Sequence, residues 1–220
     1  MKKIYLQNRM KIKMIKSHIS SSKAAILSIN PDNPQLRLIR RASETLEAGG
    51  LIAYPTDTFY GIGCDLFNKK GIQQIYKLKN RPLKKPFSII VNSLKEISKY
   101  TNVSNYAYKT MKRFLPGPYT FILEGSRLVP KIMLTKRKTV GIRIPDNRIC
   151  LDLVGLLGRP IISTSAIHTD PLTIKDAYGQ FLDIIIDGGP ISQNPSSVVS
   201  LIDDTPIIIR EGKGDISSFL

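Results

Sequence analysis

Hydrophobic residues in this chain form short clusters separated by polar turns that are rich in glycine and proline. Continuous apolar runs predict strands, and apolar positions three or four residues apart predict helices between them. The predicted strands cover residues 51–54, 87–91, 119–124, 139–144, 161–163, 184–186, 198–202 and 207–210. Predicted helices cover residues 71–78, 104–115, 147–157 and 173–181, with a short helix that opens at Ser93.

A further helix is predicted before the first of these strands. Asn33 is a good N-cap residue, and Pro34 suits the first helical position. Leu36, Ile39 and Leu46 would share one face of this helix, and Gly49-Gly50 would end it.

The alternation of strands and helices predicts the fold class. Because the predicted strands are apolar and alternate with helices, we expect an α/β fold with a largely buried mixed sheet. Ser93 and Glu96 have capping-box spacing, which supports the short helix between two of the strands. The chain after residue 25 has no repeat, long linker or low-complexity run. We therefore predict one domain over residues 26–220, preceded by a basic, disordered tail over residues 1–25.

Charge narrows the classes of partner. The 220 residues include 33 Lys and Arg against 17 Asp and Glu, a net charge of +16 that favours nucleotide, RNA or another polyanion. The first 31 residues contain no acid and carry +7, as a solvated tail or an RNA-touching arm would. No apolar run approaches the roughly 18–20 residues of a membrane span, so we expect no membrane partner.

The cysteines and histidines exclude several chemistries. Cys64 and Cys150 form neither a metal-type pair nor a disulfide framework, which favours a reducing, cytoplasmic location. With His18 and His168 alone, a histidine-rich zinc site or a Ser-His-Asp relay is not expected, and we predict no metal held by the protein itself.

Two polar segments follow predicted elements of the first half. Residues 55–63 carry hydroxyls and glycines directly after a strand, which suits a ligand site or a tight structural turn. Residues 77–86 lie between a helix and an apolar strand and contain five cations and two prolines. These cations form either a solvated face or a group that converges on phosphate.

Two more polar segments and two arginines lie in the second half. Ser163-Thr164-Ser165 follows an apolar run, and residues 188–197 are again small and polar, which suits helix capping or anion binding. Arg143 and Arg210 fall at predicted strand ends, as surface ion pairs or as parts of an anion pocket. This supply of cations and hydroxyls indicates catalysis by positioning and charge stabilisation.

Taken in order, these segments resemble the YrdC/YciO/TsaC family of threonylcarbamoyl-AMP synthases. The segments that carry the resemblance are Pro55 to Gly61, Lys79-x-Arg81-Pro82, Pro116-Gly117-Pro118-Tyr119-Thr120, Gly141-Ile142-Arg143-Ile144-Pro145, Ser163-Thr164-Ser165-Ala166 and Arg210-Glu211-Gly212. The resemblance covers roughly residues 26–220 and is nearest to the YciO branch. It implies a twisted open mixed β-sheet with flanking helices, the YrdC/RibB-like fold, with a positively charged concave face.

The family's synthases are nucleotidyltransferases that combine L-threonine, bicarbonate and ATP, with Mg²⁺, and release pyrophosphate. Their product feeds the t6A modification of tRNA, so double-stranded RNA or tRNA and downstream t6A transfer proteins are implied as partners. The resemblance implies catalytic roles for Lys79, Arg81 and Ser165, substrate-binding roles for Thr56, Tyr60 and Thr120, and nucleotide-binding roles for Arg143, Ser163, Ser196 and Arg210.

One position departs from the synthase pattern. The synthases carry Ser-x-Asn after this strand, whereas Ser165-Ala166 is followed here by Ile167 and then His168. Isoleucine can neither donate nor accept the hydrogen bonds of that asparagine. The sequence therefore leaves two hypotheses: a synthase, or a YciO-like RNA-binding protein with weak or no synthase activity.

Overall fold

A computed structural model describes residues 24–82, 85–191 and 194–219. The described strands are β1 Ala25–Ser28, β2 Ile52–Tyr54, β3 Gly61–Gly63, β4 Ser88–Ile90, β5 Thr101–Asn102, β6 Tyr119–Gly125, β7 Thr139–Arg143, β8 Ile161–Ser165, β9 Ile184–Asp187, β10 Ser197–Ser200 and β11 Ile207–Arg210. The described α-helices are α1 Leu36–Glu47, α2 Lys69–Leu78, α3 Leu94–Tyr100, α4 Asn105–Phe114, α5 Arg148–Leu157 and α6 Pro171–Tyr178.

One mixed sheet contains all eleven described strands. Its order is β1-β9-β2-β3-β8-β4-β7-β6-β10-β11, and β5 pairs with β6 beside this path. The sheet combines parallel pairs, such as β1 with β9, and antiparallel pairs, such as β3 with β8. The predicted mixed α/β architecture is confirmed.

Helices α1 and α5 cover one face of the sheet at its β1-β9-β2 side. Ile39, Ala42 and Leu46 of α1 and Ile149 and Leu153 of α5 are each fully buried in this layer. Burial of a large aliphatic side chain contributes about 1.5–3 kcal/mol, so this layer anchors the first half of the sheet. Helix α5 begins at an Asn147 cap and ends at a Gly158 with φ of 68°, close to the predicted range 147–157.

The remaining helices build a second core on the opposite face. Ile72 and Ile75 of α2, Met111 of α4 and Ile174 of α6 pack in the same cluster as Phe121 of β6. On the α1 side, the helix layer still covers Ile161 of β8 and Ile90 of β4, and the concave site lies farther along the same face.

Several local predictions differ from the observed elements. Helix α1 begins after Gln35, two residues later than the Asn33-Pro34 signal, so Leu36 is 54% exposed and does not share the buried face of Ile39. Ser93 precedes α3, but its side chain makes no capping hydrogen bond; the Glu96 amide donates to the Ser93 carbonyl, and the Glu96 carboxylate pairs with Lys99.

Three short strands were absent from the predictions: β1, β3 and β5. Strand β3 is Gly-Ile-Gly, a composition with low strand propensity, and it lies inside residues 55–63, for which the sequence suggested a ligand site or a tight turn. Strand β8 continues through Ser165, so the hydroxyls expected after this strand lie within it.

The described chain begins at a buried Ala24 and enters β1 at Ala25, whereas the tail prediction ran to residue 25. Residues 1–23 of the predicted tail lie outside the described residues. None of the helices in the described ranges combines the length and hydropathy needed to cross a membrane.

Candidate functional site

A concave surface on the sheet holds most of the polar residues singled out above. Ile90 of β4 and Ile161 of β8 pack in the core layer of α1 and α5. Because side chains alternate along a strand, Ser88 and Ser163 share that face two residues away. On this face, β4 and β8 carry isoleucines where the helices cover them and serines beyond the helices. The prediction of continuously apolar strands is therefore wrong for this part of the sheet.

The cavity above these hydroxyls has a volume of about 440 Å³. Nine of the ten predicted site residues line it, namely Thr56, Tyr60, Arg81, Thr120, Arg143, Ser163, Ser165, Ser196 and Arg210. The tenth, Lys79, is not part of the lining. Residues more than 150 positions apart in sequence, such as Thr56 and Arg210, therefore meet at one surface.

The loop after β2 is fixed by its own hydroxyls. Thr56 is 2% exposed, and its Oγ1 donates to the carbonyl of Phe59 at 2.6 Å while accepting from the Thr58 amide at 3.1 Å. Thr56 Oγ1 also lies 3.1 Å from Thr58 Oγ1. The Thr56 hydroxyl therefore shapes the loop, and its bonding capacity is already taken up.

Tyr60 plays a similar role at the base of the cavity. Its hydroxyl donates to the carbonyl of Gly189 at 2.7 Å and accepts from the amide of Gly188 at 3.2 Å. Burial raises the pKa of Tyr60 to about 12, so the hydroxyl stays protonated and continues to donate. Tyr60 thereby ties strand β3 to the glycine turn after β9.

Arg143, the last residue of β7, lies deep in the cavity. Its Nη2 donates to Asp57 Oδ1 at 2.7 Å and to Thr58 Oγ1 at 3.1 Å. The other oxygen of Asp57 accepts from the amide of Asp146 at 3.1 Å, which fixes the carboxylate. Arg143 Nε is buried and has no hydrogen-bond partner among the described residues. The ion pair is thus an internal one, with donor capacity left over.

Arg210 is placed by the segment that precedes β10. Its Nη2 donates to the Ser196 carbonyl at 2.7 Å, and Ser196 Oγ lies 2.9 Å from Thr120 Oγ1. Burial, and secondarily the nearby charge of Arg143, lowers the pKa of Arg210, although an arginine remains charged at any ordinary pH. The guanidinium groups of Arg143 and Arg210 repel each other, and an anion bound between them would offset that repulsion.

The cationic segment after α2 divides between two environments. Arg81 lines the cavity, where its Nε donates to the Lys85 carbonyl at 2.7 Å and its Nη2 to the Pro86 carbonyl at 3.1 Å. Its guanidinium carbon also lies 4.9 Å from the Phe87 ring centroid. Lys79 instead donates to the Tyr178 hydroxyl at 3.3 Å.

The lining has a single sign of charge. It contains Arg81, Lys85, Arg143 and Arg210 and no carboxylate, while Asp57 is engaged by Arg143. Among the described residues, no group of three or more His, Cys, Asp or Glu could hold a metal ion. The site can therefore bind a polyanion through cations and hydroxyls, and a magnesium ion would fit there as part of a nucleotide complex, held mainly by phosphate oxygens.

The structure also places residues that the sequence did not single out. Ser88 and Thr139 line the cavity, and Lys213 Nζ donates to the Asp57 carbonyl at 2.7 Å. The alternation of Ser88 and Thr139 with Ile89 and Val140 was a usable signal, because it marks strands with one polar face. Nothing local indicated Lys213 or the role of Asp57.

The two residues at the departure from the synthase pattern lie outside the lining. Ile167 is 63% exposed and adopts a φ of 67°, a left-handed conformation that is rare for a β-branched residue. His168 packs edge-to-face on Tyr178, with ring centroids 5.7 Å apart. His168 therefore lies against Tyr178 and outside the cavity lining.

Comparison with known proteins gives concordant matches in sequence and structure. The family model Sua5_yciO_yrdC, described as "Telomere recombination", matches residues 44–212. The uncharacterized protein YciO of Escherichia coli K12 is 43% identical over 200 residues, which cover 87% of this chain and 97% of YciO. A threonylcarbamoyl-AMP synthase of Pyrococcus abyssi is 33% identical over 183 residues, which cover 79% of this chain and 54% of the synthase.

Solved structures agree with these relatives. The crystal structure of E. coli YciO superposes with a TM-score of 0.86 at 42% identity, covering 90% of this chain and all of YciO. P. abyssi Sua5 complexed with L-threonine gives a TM-score of 0.80 at 29% identity, over 86% of this chain and 58% of Sua5. This chain therefore spans the whole of one structural neighbour and little more than half of the other.

Proposed function

Because the chain belongs to the Sua5/YciO/YrdC family, we propose that it is an L-threonylcarbamoyladenylate synthase. It would form threonylcarbamoyl-AMP and pyrophosphate from L-threonine, bicarbonate and ATP, for t6A modification of tRNA. The observation that carries the proposal is the convergence of Arg81, Arg143 and Arg210 on one cavity with hydroxyls and no carboxylate in its lining. The L-threonine bound to the homologous Sua5 supports the amino-acid substrate.

The proposed reaction has two bond-forming steps. The threonine amine attacks bicarbonate-derived carbon, a C–N bond forms, and water leaves to give a carbamate. A carbamate oxygen then attacks the α-phosphorus of ATP, the bond to the β-phosphate oxygen breaks, and pyrophosphate leaves. Negative charge grows on the phosphorus oxygens and on pyrophosphate, where positive groups lower the barrier most.

Residues of this chain suit those steps by position. Arg81 and Arg210 are held by backbone carbonyls, so their guanidinium groups are pre-organised and need little rearrangement to bind oxygen anions. The unpartnered Nε of Arg143 offers a further donor. Mg²⁺ brought by ATP would add charge neutralisation at the phosphates. Ser163 and Ser165 supply hydroxyl donors from β8.

A product assay tests this proposal. Purified protein is incubated with MgATP, L-threonine and carbon-14 bicarbonate, and the nucleotides are separated by chromatography. We expect a labelled adenylate that forms only when threonine is present and that is absent with L-valine, which lacks the hydroxyl. No labelled adenylate from a folded, nucleotide-binding sample would refute the synthase assignment.

A second candidate is a YciO-like RNA-binding protein with weak or no synthase activity. The net charge of +16 and the replacement of the synthase asparagine by Ile167 favour it. Contacts with RNA phosphates release counterions, so affinity for double-stranded RNA or tRNA would fall steeply between 50 and 200 mM salt, by about a hundredfold or more. Affinity that is absent or insensitive to salt counts against this candidate.

A further inference from the structure

Lys79 is separated from the other cations of the site, although only one residue stands between it and Arg81. Its ammonium nitrogen lies 3.3 Å from the Tyr178 hydroxyl, to which it donates, and 5.1 Å from the centroid of the Tyr178 ring. Lys79 takes part in none of the ion pairs found among the described residues. Its ammonium group therefore lies at the hydroxyl end of an aromatic ring and contacts a neutral oxygen.

The position of Tyr178 is fixed by its own packing contacts. It is the last residue of α6 and packs against the core layer formed by the helices on that face of the sheet. The ring of His168 packs edge-to-face on Tyr178 with an interplanar angle of 61°. His168 follows soon after Ser165, the last residue of β8 and part of the cavity lining. The contact between His168 and Tyr178 therefore adjoins the cavity wall.

We propose that Tyr178 is a positioning residue that holds Lys79 outside the cavity until a polyphosphate binds. This inference rests on the proposed binding of nucleotide. A partly exposed cation–π contact with one neutral hydrogen bond is weak. Phosphate oxygens carry full charges and accept stronger, charge-assisted hydrogen bonds. Lys79 then leaves the ring and completes the cationic set of Arg81, Arg143 and Arg210.

Holding Lys79 away lowers the apparent affinity for the anion. A ligand that needs a released lysine binds only to the fraction of molecules in which the lysine is free, so the apparent dissociation constant rises by the reciprocal of that fraction. Removal of the holding residue should accordingly strengthen binding. This direction is the opposite of what loss of a structural or ligand-contacting side chain would produce.

A double-mutant cycle tests the inference by calorimetry with MgATP and with inorganic tripolyphosphate. We expect Tyr178→Leu, which removes ring and hydroxyl, to tighten binding about fivefold, and Tyr178→Phe, which keeps the ring, to tighten it about twofold. In a Lys79→Gln background both effects should vanish. Tyr108→Leu, at an exposed tyrosine of α4, is the matched control and should leave affinity unchanged.

A spectroscopic readout follows Lys79 itself. The Tyr178 ring current should perturb the side-chain resonances of Lys79, and both Tyr178→Leu and tripolyphosphate should abolish that perturbation as the lysine loses the contact. Tyr178→Phe preserves the packing of the ring, so this variant decides the question if Tyr178→Leu fails to fold.

The outcomes separate the two proposals. Suppose that the wild-type protein binds MgATP. If replacement of Tyr178 then leaves the affinity unchanged, or changes it equally in the Lys79→Gln background, the holding role is refuted and nucleotide binding stands. If the wild-type protein binds neither MgATP nor tripolyphosphate, both proposals fail.

Discussion

Arg81 has its guanidinium fixed by two backbone carbonyls at the edge of the cavity. We expect Arg81→Ala to reduce threonylcarbamoyl-AMP formation at least about a hundredfold, because a pre-organised charge near the transferring phosphate is lost. The measurement is the initial rate at saturating threonine. Arg113→Ala is the control, since Arg113 also lies over an aromatic ring, 5.5 Å from the Phe114 centroid, but belongs to α4. If Arg81→Ala and Arg113→Ala both kept the wild-type rate, Arg81 would be dispensable.

Ile167 adopts a strained backbone conformation two residues after Ser165 of the site. Because a β-branched residue at a φ of 67° is disfavoured, we expect Ile167→Gly and Ile167→Asn to raise the free energy of unfolding by about 1 kcal/mol. Ile167→Val, which keeps the branched carbon, should leave it unchanged. Urea denaturation measures these differences. We also expect Ile167→Asn, and not Ile167→Gly, to raise the synthase rate, because only asparagine restores hydrogen-bonding groups.

Tyr60 links pH to stability. Burial raises its pKa from 10.0 to about 12, so its contribution to stability is complete below pH 10 and is lost as pH rises towards 12. We expect Tyr60→Phe to lower the free energy of unfolding near neutral pH by about 1–2 kcal/mol through loss of two hydrogen bonds. The variant should then lose less stability than wild type between pH 10 and pH 12. A decline as steep as in wild type would contradict this linkage.

Sequence reasoning identified side chains at the site better than it identified their bonding. Thr56 and Tyr60 were expected to bind substrate, yet their hydroxyls bond to the backbone of nearby loops. Such bonds depend on where distant segments lie, as with the 129 positions between Tyr60 and Gly189. Local sequence carries no information on that proximity, and the same holds for the Asp57–Arg143 pair.

At the scale of elements, strand β3 depends on the absence of side chains. A Cβ on Gly63 would clash with the Ile162 carbonyl of β8 and lie 3.1 Å from the Tyr54 ring. We expect Gly63→Ala to lower the free energy of unfolding by about 3 kcal/mol, since rigid backbone cannot move aside. Gly155→Ala in α5 is the control, where a Cβ meets only the Asn92 amide at 3.3 Å and helix propensity improves. Thermal melting of the two variants measures the difference, and similar midpoints would refute the account.

Elements with strong periodicity were predictable, and the short ones were not. Helix α5 has a clear apolar face, an Asn147 cap and a terminal Gly158, so both ends agreed to within one residue. Strand β3 has three residues and two glycines, and tertiary pairing with β2 and β8 overrides its low propensity. The contact of Lys79 with Tyr178 was not predictable for the same reason, because it depends on how the ends of α2 and α6 meet.

For the whole molecule, the ordered motifs predicted the family and the mixed α/β fold, both of which are confirmed. The overall charge of +16 was a weaker guide, because it does not say which cations converge. Four cations line the cavity, namely Arg81, Lys85, Arg143 and Arg210, and they come from segments that lie far apart in the chain. That convergence is the basis of the proposed chemistry.

The most direct test of that chemistry is threonine-dependent release of pyrophosphate, measured as phosphate in the presence of pyrophosphatase, MgATP and bicarbonate. We predict release that requires both threonine and bicarbonate, is lost in Arg81→Ala and is retained in Arg113→Ala. A protein that is folded and binds ATP, yet releases no more pyrophosphate with threonine than without it, would contradict the synthase function.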